Sequence, residues 1–320
     1  MLYLGQLFIT EISLYLYLFL TFSAAAALLG QSSIHLFKIL AILFLFSVST
    51  LSPFFCQFLF NCLWIQSILN TFSGSLILVA GGWYASGAIA TTQPDAQIVD
   101  LSTQNRACPN LPEAPIAAGG ATGAIVSGRP VICGGQSRGF GNYHSECYQY
   151  SKITNTWTFL TPMTTKRSFT ASVPLNGKLW VMGGYAHPNT ILSSTEFLPL
   201  DGGPSQPGPE LPWPRDGHCA VTLSTGQVML LGGAFRLGKS VIRFDPDTET
   251  FNTSMPLMRF DRYSFGCTVF NSAMHDNREV VLAVGGDGES SAEVLDHTQP
   301  NAQWTASNYS FLLFYIWLAT

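Results

Sequence analysis

Charged side chains are scarce. Asp, Glu, Lys and Arg make up 11% of the 320 residues, and the formal net charge is −4. No Lys/Arg cluster occurs, which excludes the basic stripe that tracks a phosphate backbone, so nucleic acid is not an expected partner. No two cysteines stand in a C-x2-C arrangement, so no structural zinc motif is present. H-E-x-x-H is missing too, and no glycine-rich loop leads into a lysine or into G-x-G-x-x-G spacing, so a phosphate cradle is not indicated. The acidic string Asp245, Asp247, Glu249 in "FDPDTETF" has too few ligands and no glycine turn for a calcium loop, and reads as a solvated turn. No metal or cofactor is expected. His218 in "RDGHCAV" reads as a packed residue at a strand start.

The scarcity is uneven. Residues 1–74 hold only Glu11 and Lys38, and residues 39–94 hold no charge at all. Segments 12–30 and 39–60 are long enough, or nearly so, to cross a bilayer as helices, the second being interrupted at Pro53. Residues 61–72 add a weaker apolar stretch. Three readings stand side by side: a membrane anchor of one or two spans, a displaced secretory signal around residues 38–50, and translated non-coding sequence from an imperfect gene model. The apolar tail 308–320 agrees with the last. If both segments span, Lys38 is cytoplasmic and everything beyond residue 60 is extracellular. The expected division is therefore 1–74, 75–307 and 308–320, with a membrane-anchored or secreted chain whose middle part lies outside the cell.

What the chain does have is a repeat. Apolar runs end in a glycine doublet five times: "LILVAGG", "PVICGG", "LWVMGG", "VMLLGG" and "VLAVGG". The doublets are Gly81–Gly82, Gly134–Gly135, Gly183–Gly184, Gly232–Gly233 and Gly285–Gly286, and their first members are 53, 49, 49 and 53 residues apart. Such a period is read before anything else, because it sets the architecture. Pro112, Pro162, Pro212 and Pro256 keep nearly the same step, and an aromatic stands five residues before two of them, Trp157 and Phe251, with Trp304 in the matching place of the fifth copy. Tyr150 precedes Trp157 and Phe244 precedes Phe251 by seven positions in each case. Each unit thus holds four short strands divided by Gly, Pro, Asn, Asp and Ser, with no helical period. The run before each doublet is apolar on both faces, as in a strand buried between neighbouring sheets. The glycines are expected to be structural, supplying positive φ and close backbone approach where that strand ends.

A four-stranded unit of about 50 residues is similar to the kelch propeller blade. The doublets, the two aromatic pairs and Arg167, Arg215 and Arg262 carry the resemblance, over roughly residues 75–307. It implies an all-β, kelch-type β-propeller of about five four-stranded blades, with an incomplete six-bladed ring as the alternative. An open arc would leave apolar blade faces exposed and make the isolated 75–307 segment associate. The first blade lacks the arginine and the aromatic pair, and the third lacks the tryptophan. "ACPNLP", "VICGG" and "ECY" resemble a kelch variety of secreted or cell-surface invertebrate proteins.

Cys133 and Cys147 fall on adjacent antiparallel strands of one blade and are a candidate disulfide, with buried free thiols as the alternative. Cys219 and Cys267 occupy matching places in successive blades and are expected to point the same way, so they are left unpaired. Of the sequons, Asn252-Thr253-Ser254 suits a blade better than Asn308-Tyr309-Ser310.

The resemblance implies a non-catalytic module that binds a protein partner through blade-end loops. Tyr84, Phe140, Tyr143, Tyr185, His187, Phe235 and Arg236 are the aromatic and basic residues on the loops after the doublets, the types enriched at interface hot spots. Galactose oxidase, a kelch-like copper enzyme with a tyrosine–cysteine crosslink, is the enzymatic alternative, and His144, Cys147, Tyr148 and Tyr150 are the Tyr/Cys/His cluster it would need. An intracellular kelch adaptor is a further alternative, but residues 1–74 lack the charge and length of the domains that precede such propellers.

Overall fold

The last four glycine doublets each end a strand whose final residues are buried on both faces, and the sheets follow from that constraint. The computed structural model describes residues 72–73, 76–86, 89–100, 111–137, 142–234 and 236–307, all within one compact unit. The first sheet holds β1 (Phe72–Ser73), β2 (Leu76–Ala80) and β5 (Ala96–Asp100), with a two-stranded ribbon, β3 (Trp83–Ser86) and β4 (Ile89–Thr92), inserted between the last two. The second holds β6 (Thr122–Val126), β7 (Arg129–Cys133), β8 (Cys147–Ser151) and β9 (Thr156–Phe159). The third holds β10 (Ala171–Leu175) and β11 (Lys178–Met182). A ribbon of β12 (Tyr185–Ala186) and β13 (Thr190–Ile191) follows, then β14 (Thr195–Pro199) and β15 (Gln206–Pro207) complete that sheet. The fourth is β16 (Cys219–Thr222), β17 (Val228–Leu231), β18 (Val241–Asp245) and β19 (Thr250–Asn252). The fifth is β20 (Gly266–Ser272), β21 (Arg278–Val284), β22 (Ala292–Leu295) and β23 (Thr305–Ala306).

The chain is all-β and forms a β-propeller with four complete blades, each an antiparallel four-stranded meander. The first sheet differs from the expected four strands: it has three among the described residues, and the place of its fourth falls in 101–110, outside them. The expected spans at 12–30 and 39–60 and the tail 308–320 also lie outside the described residues. Among the described residues no helix is long and apolar enough to cross a membrane.

The second strand of each blade is the core. On β11, Leu179 and Val181 pack with β7 residues Val131 and Cys133, while Trp180 and Met182 pack with Val228 and Leu230 of β17. On β17 the other face, Met229 and Leu231, meets Val281 and Ala283 of β21. One strand thus closes two interfaces, which is why it carries no polar face. Each fully buried aliphatic side chain there contributes about 1.5–3 kcal/mol.

The aromatic pairs are cross-strand neighbours. Tyr150 faces Trp157 with rings 5.3 Å apart, and Phe244 faces Phe251 at 4.9 Å. The proline and tryptophan markers meet as well. Trp157 Nε1 donates to the Pro112 carbonyl at 2.9 Å and Trp304 Nε1 to that of Pro256 at 3.1 Å, tying each blade's last strand to the segment that enters it.

Both glycines of every doublet have positive φ, 63–71° at the first and 90–129° at the second. The second glycine's N–H stitches its blade to the next: Gly135 donates to the Arg167 carbonyl at 2.9 Å, Gly184 to Arg215 at 2.8 Å and Gly233 to Arg262 at 3.0 Å. Ala118 takes the arginine's place for Gly82, at 3.0 Å. The first glycine must lack a side chain because that same carbonyl lies 2.5–2.8 Å from where its Cβ would be at Gly81, Gly134, Gly183 and Gly232.

Cys133 and Cys147 are directly paired across β7 and β8 and form a disulfide with Cα atoms 4.2 Å apart. Cys219 and Cys267 also form one, between blades, with Cα atoms 6.0 Å apart. That corrects the expectation that they point the same way. Cys219 pairs with Leu231, immediately before Gly232, whereas the residue pairing with Val284, immediately before Gly285, is Gly266. Cys267 is one position further on. A one-residue offset turns a strand side chain to the opposite face, so the two thiols face each other across the inter-blade gap. The same two positions in the preceding blades hold Thr122 and Ser172, joined by a hydrogen bond of 2.7 Å.

Replacing both Cys219 and Cys267 by serine is expected to lower stability by about 4 kcal/mol, against about 3 kcal/mol for Cys133 and Cys147, because the loop closed is 48 residues rather than 14. Denaturant titration of the two double variants checks the order. An inter-blade bridge that can be removed without loss would contradict it.

Candidate functional site at the glycine end of the blades

The doublets gather the arginines at one end of the sheets. Arg167, Arg215 and Arg262 are each at most 1% exposed. Arg167 donates to the Gly183 and Ser194 carbonyls and to Glu196, at 2.7–2.9 Å, and Arg262 repeats this with Gly285, Ser291 and Glu293. Their carboxylate partners are equally buried. The Arg215 side chain bonds the Gly232 carbonyl and Ser240 Oγ, at 3.0 and 3.1 Å, without a carboxylate, because Ile242 stands where the third and fifth blades have Glu196 and Glu293. Burial without a counter-charge pulls its pKa down to about 10. His218 lies beside it, buried, with neither ring nitrogen hydrogen-bonded, and burial and the Arg215 charge hold it neutral, well below the usual histidine range. These side chains are buried and shape the end of the blades.

Of the expected contact residues, three come together. Tyr143 has its ring 6.0 Å from Tyr185 and 6.5 Å from His187, bridging the loops of the second and third blades. The loops at 83–95 and 185–194 are short ribbons, β3–β4 and β12–β13, so two of the expected loops are partly ordered by their own ladders. Tyr84 lies on β3, with its side chain outside the description, and Phe140 and Phe235 lie outside the described residues. Arg236 is exposed, on the fourth blade.

Beside Tyr185 a cleft of about 580 Å³ opens, shared by the third, fourth and fifth blades. Tyr185, Asp216, Arg236, Asp261, Tyr263 and Asp287 line it together with backbone of the fourth blade. Asp216 is 4% exposed, and burial raises its carboxyl above the usual range. Tyr263, whose hydroxyl lies 3.4 Å from Asp216 Oδ2, is pushed up to about 12 by burial and by that carboxylate. None of the three aspartates stood out in the sequence, because each sits on a different loop. The signal that locates them is their distance from an arginine or a glycine doublet: Asp216 follows Arg215, Asp261 precedes Arg262, and Asp287 follows Gly286.

Two other clusters bear on chemistry. Ser137 Oγ lies 2.6 Å from His144 Nε2, and His144 Nδ1 lies 3.6 Å from Glu146. The neighbouring amides of Gly135, Gln136, Ser137 and His144 all donate to backbone carbonyls, so none of these four is left to polarise a substrate carbonyl. In the Tyr/Cys/His cluster, Cys147 is taken up in its disulfide, Tyr148 packs on Phe159, and Tyr150 bonds Asn155 at 2.8 Å. A tyrosine–cysteine crosslink of the galactose-oxidase kind would need the sulfur that Cys133 holds.

Residues 118–164, the second blade and its flanks, match the family described as Kelch motif. Kelch-like protein 33 of Homo sapiens is 30% identical over 135 residues, which is 41% of this chain and 25% of that protein. The chain thus spans about a quarter of the length of this curated relative.

Proposed function

Because the chain is a kelch-repeat β-propeller, we propose that it works as a non-catalytic interaction module that holds a protein partner at the glycine end of its blades. The observation that carries this reading is the Tyr143–Tyr185–His187 group from two blades, in which the buried Tyr143 ring backs the accessible Tyr185 and His187 beside an open cleft. Rigid rings on short ribbons lose little entropy on binding, and tyrosine is over-represented among residues that dominate interface energies. The similarity to a Kelch-like protein supports protein–protein interaction in general.

The place of action that fits best is outside the cell. Two disulfides persist in oxidising compartments and are rare in the cytosol. Asn252 is exposed at the edge strand β19 and would be open to glycosylation there.

The test is affinity capture with the full chain from a secretory-pathway host, followed by a double variant of the two accessible rings, Tyr185→Ala/His187→Ala. We expect a reproducible protein partner whose affinity falls at least tenfold in the variant, with the melting curve nearly unchanged. A partner retained at full affinity by the double variant would move the interface elsewhere.

A further inference from the structure

The cleft between the third, fourth and fifth blades is unbalanced in charge. Three carboxylates face it, Asp216 at its base and the exposed Asp261 and Asp287 on its rim. Of its two arginines, Arg262 is neutralised by Glu293 at 2.9 Å and committed to the Gly285 and Ser291 carbonyls. Arg236 alone is exposed, leaving a net negative cavity. Asp216 adds a separate observation. Its Oδ1 is buried and has no hydrogen-bond partner, while Oδ2 makes a long contact with the Tyr263 hydroxyl. A buried carboxylate oxygen left unpaired is unfavourable by about 1–3 kcal/mol or more, and a donor arriving through the cleft relieves it. Tyr185 and Tyr263 supply aromatic surface of the kind that attracts a cation.

We propose that this cleft receives the cationic side chain of a lysine or arginine on the protein partner, with Asp216 as the buried acceptor and the aspartates of the rim as the attracting field. The inference rests on the interaction reading above and specifies the chemistry of what is bound. Coordination of a bare metal ion is less suited, because Asp216 is a single buried carboxylate and the other two aspartates sit at the rim. A planar guanidinium or an ammonium can meet one unpaired oxygen while its apolar stem lies against tyrosine.

The experiment is an NMR titration of the isotope-labelled full chain with N-acetyl-arginine methylamide, with N-acetyl-lysine methylamide and with the neutral citrulline counterpart. We expect shifts at Gly233, Ala234 and Tyr263 with at least one cationic amide, and at least tenfold weaker binding of citrulline. Asp216→Asn should weaken the cationic amide at least tenfold, while Asp201→Asn, an exposed carboxylate on the β14–β15 connection, should leave it unchanged. Should Asp216→Asn not fold, Asp287→Asn should weaken it several-fold. Equal binding of citrulline, no binding to the wild-type chain, or indifference to the cleft variants would overturn the proposal. Capture of a partner through Tyr185 and His187 with no cationic amide bound would sink this inference and leave the interaction reading standing.

Discussion

Gly183→Val is expected to destabilise the protein by about 4 kcal/mol or more, a large share of the roughly 5–15 kcal/mol that holds a domain folded. Two effects add. A β-branched residue at φ +63° is strained by about 1–3 kcal/mol. Its Cβ would also stand 2.5 Å from the Arg215 carbonyl oxygen, with His218 and Leu211 atoms at 3.2 Å, so the neighbouring blade must retreat. Forcing extra atoms into a packed site adds about 1–3 kcal/mol, and retreat weakens the Gly184 N–H bond to that same carbonyl. Gly226 separates the two effects. It also has positive φ, at 82°, but nothing lies within 4 Å of its Cβ position. Gly226→Ala should show only the conformational part, and Gly183→Ala both. If thermal or denaturant unfolding puts the two alanine variants level, the close approach contributes nothing and the account of the doublet is wrong.

Glu196→Ala is expected to lower stability by about 3–5 kcal/mol. The carboxylate is 1% exposed and fully used: Oε1 accepts from Arg167, and Oε2 from Thr164 N–H, Thr164 Oγ1 and Ser205 Oγ, all at 2.6–2.9 Å. Without it the Arg167 guanidinium stays buried with only carbonyl and hydroxyl partners, and Thr164 and Ser205 lose their acceptor. The fourth blade shows that an arginine here tolerates such a state, since Arg215 has Ile242 for a neighbour; that site was packed around its isoleucine, whereas removal at position 196 leaves a gap. Glu196→Gln keeps the volume but only one acceptor oxygen, its NH2 meeting the Arg167 or the Thr164 donors, so it avoids the gap and should lose less than alanine while still losing the ion pair. A loss below about 1 kcal/mol for alanine in urea titration would show that the ion pair is not a keystone of the blade.

Much of this architecture can be read from the letters. The doublets mark where the second strands stop, and β11 and β17 are apolar on both faces because each closes two interfaces. Tyr150 and Trp157, or Phe244 and Phe251, are spaced to face each other across a tight hairpin, so their interval is a consequence of pairing. The inter-blade disulfide was hidden by a single residue. Arg215 precedes Cys219 by four positions and Arg262 precedes Cys267 by five, and aligning "GHCAV" on "FGCTV" conceals that shift, which alone decides the facing. Glu196 and Glu293 stood in the strings "TEFL" and "AEVL", but burial beneath an arginine from the segment that enters the blade has no local sign. The cleft was invisible for the same reason: Asp216, Asp261 and Asp287 become neighbours only once three blades are side by side. Residue type and loop position were enough to pick out Tyr143, Tyr185 and His187, the first ring lying 6.0 and 6.5 Å from the other two.

The stitches made by the doublets run in one direction. At the first four doublets the donor belongs to one repeat and the acceptor to the repeat that follows, so this amide of a blade is satisfied by its successor and not by its predecessor. The amides of Gly135, Gly184 and Gly233 therefore report on the seating of the blade that comes after them. Their hydrogen-exchange rates are a gauge, blade by blade, of how firmly the next repeat is docked. A lesion placed in one repeat is felt upstream first, and the order in which these three amides lose protection under mild denaturant traces the direction in which the array comes apart.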